Sequence, residues 1–152
     1  MVGWPHDGSM LSGWTRYSRT ARLANLNRFD GMRRRDVRRI VRAGRPGRVR
    51  ADRMITVQDG PSDGTYILLT GTATVTLDGK DIGTLVPGDL VGEIALLEGR
   101  PRTASVTADQ DLDVLFFPTK LANQLLAEVP PFRQALLDTA HERLARDRAR
   151  RN

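Results

Sequence analysis

The sequence predicts a mainly β protein with flanking helices: an eight-stranded antiparallel, jelly-roll-like β-roll with N-terminal helices and two C-terminal helices. Three observations carry this. Apolar residues recur at helical spacing up to Val41 and switch to a period of two from Arg48. Between there and Pro118 the chain holds roughly eight short apolar runs divided by glycine-bearing turns, with no helix-length stretch between consecutive strands, which excludes an alternating strand–helix fold. After Pro118 the helical period returns. A chain of 152 residues is long enough for one domain with a real core.

Residues 1 to about 15 are rich in Gly, Ser and Pro, with Trp4 and Trp14, and residues 1–19 are expected to form a flexible segment ahead of a domain at 20–150. Ala21, Leu23, Leu26 and Phe29 begin the helical spacing. Asp30 is expected to cap the next helix, whose stripe is Met32, Val37, Ile40 and Val41, and Gly44 and Pro46 to end it. RVRADRMITVQDG reads as two strands around a turn, with Val49, Ile55 and Val57 facing inward. TYILLTG, TATVTL and DIGTLVPGD follow, with turns at Asp78-Gly79 and Pro87-Gly88. SVTADQ and LDVLFFP complete the roll. Pro118 opens a helix with Leu121, Leu125, Leu126 and Val129 on its inner face. Pro130-Pro131 break it and start another, striped by Phe132, Leu136, Leu137, Ala140 and Leu144.

Composition narrows function. Without cysteine there is no disulfide, zinc–thiolate site or cysteine nucleophile. His6 and His141 lie far apart, so a histidine-based metal cage is not expected and neither is metal-assisted hydrolysis; the chain does not read as an enzyme. It has no run of about 18 apolar residues and no secretory signal, so the expectation is a cytoplasmic protein without membrane contact. The net charge of +6 is unevenly spread: residues 16–53 carry fourteen arginines and three acids, residues 54–131 four bases and eleven acids. An arginine-rich head of this kind meets phosphates or is simply solvated. Val37, Ile40 and Val41 commit one helix face to the core, and the arginines around them have no aromatic or amide partners suited to base edges, so sequence-specific nucleic-acid reading is not expected.

The most informative stretch is GDLVGEIALLEGRPRTASVTA, Gly88 to Ala108. EIALLEG has room for one helical turn, whose first amides, those of Ile94 and Ala95, would face outward as an anion site. Arg102, just before a strand, is suited to fork onto the free oxygens of a phosphodiester, with Thr103 as an added donor and Ala104 leaving room for close approach. A carboxylate beside that anion makes sense if Glu93 accepts from a ribose hydroxyl. Acid for sugar, arginine for phosphate and amides beneath describe a nucleotide. The alternative for the same residues is a Glu93–Arg102 ion pair that staples a loop.

This stretch resembles the phosphate-binding cassette of cyclic nucleotide-binding domains, found in bacterial cyclic-AMP-responsive regulators, the regulatory subunit of protein kinase A and gated channels. Gly92, Glu93, Ile94, Ala95, Leu96, Arg102, Thr103, Ala104 and Val106 fall on the family pattern, and YILLTGTATV and IGTLVPGD are similar to the strands before it. The likeness covers about residues 20 to 145. It implies that Gly92, Ala95 and Glu93 hold ribose and phosphate, that Arg102 pairs with the cyclic phosphate beside Thr103 and Ala104, and that Val75, Leu85, Val91 and Val106 line the walls. Arg143 falls about where an arginine of the last helix reaches the pocket in bacterial members. Asp147 and Arg148 replace the hydroxyl residues that contact adenine, and Thr103 occurs in binders of either cyclic AMP or cyclic GMP, so the ligand is expected to be one of these two. No cofactor is expected beyond this regulatory ligand. The sequence runs to Asn152, without length for the helix-turn-helix that follows in transcriptional regulators. The expectation is a stand-alone sensor acting on an effector protein, with a homodimer through the last helix as a further expectation. The alternative is a degenerate domain of the same fold that makes protein contacts without ligand.

Overall fold

The computed structural model describes residues 16–92 and 104–151. Helix α1 (Arg16–Ala24) is followed by a 3-10 turn (Asn27–Phe29) and helix α2 (Arg34–Ala43). Eight strands follow: β1 (Arg45–Val49), β2 (Met54–Thr56), β3 (Gly64–Thr70), β4 (Ala73–Leu77), β5 (Lys80–Leu85), β6 (Leu90–Val91), β7 (Ser105–Ala108) and β8 (Leu112–Pro118). Helices α3 (Thr119–Glu128) and α4 (Pro130–Arg151) close the chain. The strands form two four-stranded antiparallel sheets, ordered β1-β8-β3-β6 and β2-β7-β4-β5. The expected β-roll with helices at both ends is the fold of the chain.

Side chains alternate across a strand, and the first sheet uses both faces. Tyr66, Leu68, Val91, Leu112, Val114 and Phe116 point inward to a cluster shared with the second sheet. Their neighbours Ile67, Leu69, Leu90, Leu115 and Phe117 point outward to a second cluster. That outer cluster is completed by Leu23 and Phe29, by Val37, Ile40 and Val41 of α2, by Leu125 of α3, and by Phe132 and Leu136 of α4. Each cluster has its aromatic contact: Tyr66–Phe116 inside, with centroids 4.8 Å apart, and Phe117–Phe132 outside at 5.7 Å. The second sheet is one-sided: Ala73 and Val75 are buried while Thr74 and Thr76 are half-buried.

The Asp78-Gly79 turn joins β4 to β5 with both residues left-handed (φ +51° and +79°), the conformation that matches strand twist in a two-residue hairpin. Four local expectations are corrected. Asp30 caps nothing, because α2 starts at Arg34 after Arg33, and no side chain caps it. Helix α2 ends at Ala43, ahead of Gly44 and Pro46 as expected, but the strand expected from Arg48 already starts at Arg45 and takes in Pro46. Pro46 lies within β1, an edge strand, where the lost N–H leaves no gap in a central ladder. Val57 falls just past β2 and is exposed, since β2 ends after three residues. On α3 the buried face is Ala122 and Leu125, continued by Val129 just past its end, which leaves Leu121 and Leu126 half-buried at its margins. Leu137 is likewise half-buried on α4, and the Leu144 side chain lies outside the described residues.

Candidate functional site

The two ends of the 93–103 stretch lie on different sheets. Strand β6 brings the chain to Gly92 from the first sheet, and β7 takes it up after Ala104 on the second. Gly92 has φ +88°, a left-handed conformation that a side chain strains, so the glycine lets the chain turn off β6 at once. Val91, directly before it, pairs with Tyr66, and its carbonyl accepts the buried Thr65 hydroxyl at 2.8 Å. On the far side, Val106 pairs with Val75, and Val75 with Gly83, while Leu85 pairs with Ala73. The four expected wall residues Val75, Leu85, Val91 and Val106 therefore meet in one inter-sheet cluster, each 6% exposed or less, with Ala104 and Ile82 packed partly buried against it. Glu93, Ile94, Ala95, Arg102 and Thr103 lie outside the described residues. Arg143 lies on α4, and its side chain is likewise outside them.

The strand that follows Arg102 is fastened by groups the sequence did not single out. The Thr56 hydroxyl donates to the Ala104 carbonyl at 3.1 Å, and the Gln58 amide donates to the Ser105 hydroxyl at 2.9 Å. The Gln58 side chain then pairs with Asp78 twice, donating to its carboxylate and accepting its backbone N–H, both at 2.8 Å. The start of β7 is thus tied through Gln58 to the β4–β5 turn.

A second constellation joins the helices to the roll. Arg28, in the 3-10 turn, donates to Asp89 at 3.0 Å and to Glu142 at 2.9 Å. Asp89 belongs to the Pro87-Gly88-Asp89 turn, which its other carboxylate oxygen closes by accepting the Val86 N–H at 2.9 Å. Glu142 is on α4. Burial disfavours the Arg28 charge, and the hydrogen bonds to Glu142 and Asp89 outweigh it, so the guanidinium is held above its ordinary value. Arg28, Gly88, Asp89, Asp138, His141 and Glu142 border an open cleft of about 570 Å³. No local signal marked this contact: its members are 61 and 114 residues apart, and Arg28 is one of fourteen arginines in its region.

Among the described residues no group of three or more His, Cys, Asp or Glu could hold a metal ion, and no helix is long and apolar enough to cross a membrane.

The described residues form a helix-backed double-sheet roll, with Val91 at the end of one sheet and Val106 near the start of a strand of the other in a single apolar cluster. Compared with protein families, residues 46–129, more than half of the chain, match the cyclic nucleotide-binding domain. The chain belongs to that family, whose domain binds a ligand and does not catalyse a reaction. Among curated proteins, the cGMP-dependent protein kinase of Toxoplasma gondii is 44% identical over 55 residues, 36% of this chain and 6% of the kinase. Among solved structures, the regulatory domain of Toxoplasma gondii PKA with cAMP superposes with a TM-score of 0.72 at 24% identity, over 84% of this chain and 50% of that one. The cAMP-binding acyltransferase from Mycobacterium smegmatis superposes with a TM-score of 0.67 at 28% identity, over 86% of this chain and 42% of that one. The chain thus spans half or less of each of these relatives.

Proposed function

We propose that the chain is a cytoplasmic cyclic nucleotide sensor that holds cAMP or cGMP between Gly92 and Val106 and signals to an effector protein by moving α4. Within it, Arg102 pairs with the cyclic phosphate beside Thr103 and the Ala104 amide. Glu93 accepts from the ribose 2′-hydroxyl, and Ile94 and Ala95 lie under the phosphate. The observation that carries the reading is the placement of both ends of this stretch: Val91 and Val106 belong to the same apolar cluster as Val75 and Leu85, so the stretch starts and ends over one dry floor. Electrostatic pairing strengthens where water is excluded. The family membership supports the ligand class, and the named ligands of the relatives, cGMP in one and cAMP in two, keep both nucleotides in view. The Arg28 contact supports α4 as the moving part, since it ties that helix to the turn leading into β6. Homodimer formation through α4 and the absence of sequence-specific nucleic-acid binding belong to the same proposal.

Calorimetry with cAMP and cGMP tests it. One of the two should bind the purified chain. Arg102→Ala should weaken that binding at least about thirtyfold, the loss of a charge-assisted bidentate contact worth about 2 kcal/mol or more. Glu93→Gln should narrow the gap between the nucleotide and its 2′-deoxy analogue. Equal affinity of wild type and Arg102→Ala would remove the arginine from the site. Failure of wild type to bind either nucleotide would favour a degenerate domain that serves only protein contacts.

A further inference from the structure

Helix α2 commits Val37, Ile40 and Val41 to the outer cluster, and arginines fill the rest of its surface apart from Asp36 and Ala43. Arg34, Arg35, Arg38 and Arg42 are exposed, and among the described residues none of them makes a hydrogen bond or ion pair. Among the described residues, Arg39 alone on this helix pairs with an acid, Glu128 of α3. Between the two helices lies an open groove of about 700 Å³, bordered by Arg35, Asp36, Arg38, Arg39, Arg42 and Glu128. Like charges three and four residues apart on a helix repel and destabilise it by a few tenths of a kcal/mol per pair. Among the described residues, only Asp36 and Glu128 stand against this charge along the groove.

We propose that this groove is a docking surface for an acidic helical segment of a partner protein. Three observations favour that occupant. Arg35, Arg38 and Arg42 follow one another at three and four residues, the pitch at which a facing helix presents carboxylates, and a guanidinium takes a carboxylate bidentately. Asp36 and Glu128 stand among the arginines. A continuous phosphate backbone would run against both, whereas spaced carboxylates pass between them. Among the described residues the exposed large apolar side chains are Met54, Val57 and Val86, all on the roll. The arginine face therefore offers no wedge for a bilayer, and it has no aromatic ring to stack a base. The surface is independent of nucleotide, so its test stands apart from the one above.

The probe is an alanine-based helical peptide of about twenty residues with glutamates at the i, i+3, i+7 spacing, titrated onto the full chain at about 0.15 M salt. Its comparisons are a peptide of the same composition with scrambled spacing, a DNA duplex, and phosphatidylserine vesicles. The spaced peptide should bind best. Arg35→Glu/Arg38→Glu/Arg42→Glu should lower its affinity by about tenfold or more, and the three-glutamine variant by less. Arg53→Glu/Lys80→Glu/Arg133→Glu, the same charge change on exposed positions elsewhere, should leave it within about twofold. Equal losses in the two charge-reversed variants would reduce the effect to net charge and overturn the proposal. So would tighter binding of duplex or vesicles than of the spaced peptide, equal binding of the scrambled peptide, or no binding of any probe.

Discussion

The two sheets differ in how many faces they bury. Strand β3, GTYILLT, is buried along six consecutive residues, and β8, LDVLFFP, is nearly the same. Strand β4 of the other sheet, ATVTL, alternates small or apolar residues with threonine. The first sheet lies between the helices and the roll interior, so both sides of its central strands β3 and β8 must be apolar. The second meets the interior on one side only. A continuous apolar run therefore marks the strand that holds the helices, and an alternating one marks the strand that does not.

Phe116 and Phe117 offer the sharpest way to break this comparison, because they are neighbours on one strand with opposite duties. Truncating either to alanine should cost about 3–5 kcal/mol of stability in denaturant unfolding. The consequences should differ in place. Phe117→Ala removes the partner of Phe132 and should raise amide exchange first in α3 and α4. Phe116→Ala removes the partner of Tyr66 and should raise it first in β4 and β7. Identical exchange patterns for the two variants would mean that the two clusters melt as one unit and that the distinction has no energetic meaning.

A smaller effect is expected at the contact that joins the helical layer to the roll. Arg28→Ala takes the guanidinium from Asp89, only 19% exposed in the native fold and then left with the Val86 N–H, while Glu142, 54% exposed, regains water easily. The expected loss is about 1–2 kcal/mol, with most of it on the Asp89 side. Exchange should rise around Glu142 and in the Val86–Asp89 turn together. Arg28→Lys should recover only part, since one ammonium does not span two acids as a guanidinium does. If exchange rose in α4 alone, Arg28 would be a helix clamp and not a link to the turn.

The smallest effect tests the one-sided sheet. At Gly79 a Cβ would meet nothing within 4 Å, so Gly79→Ala isolates the backbone cost of φ +79°. About 1 kcal/mol is expected, read as a lowered melting temperature with unchanged exchange in α3 and α4. A variant as stable as wild type would show that the hairpin turn does not depend on its glycine.

The sequence by itself determined the kinds of element and their order. Apolar period separates helix from strand to within three residues of the start of β1 at Arg45 and again at Pro118, and Asp78-Gly79 names its own turn, because these signals come from residues within a few positions of one another. The resemblance named the family to which the chain belongs and implied Val75, Leu85, Val91 and Val106 as wall residues, which the fold gathers into one cluster. Where a local rule competed with a neighbour, the rule gave way: Val57 has the right parity for the interior, but β2 ends before reaching it. Only the tertiary structure decided which sheet bears the helices, how Gln58 fastens the start of β7, and that Arg28, among so many arginines, takes two acids. The physical reason is distance along the chain. An ion pair across 61 or 114 residues, or a side-chain amide clasping a turn 20 residues away, leaves no local pattern of period or composition, and its partners are chosen by the packing that brings them within 3 Å.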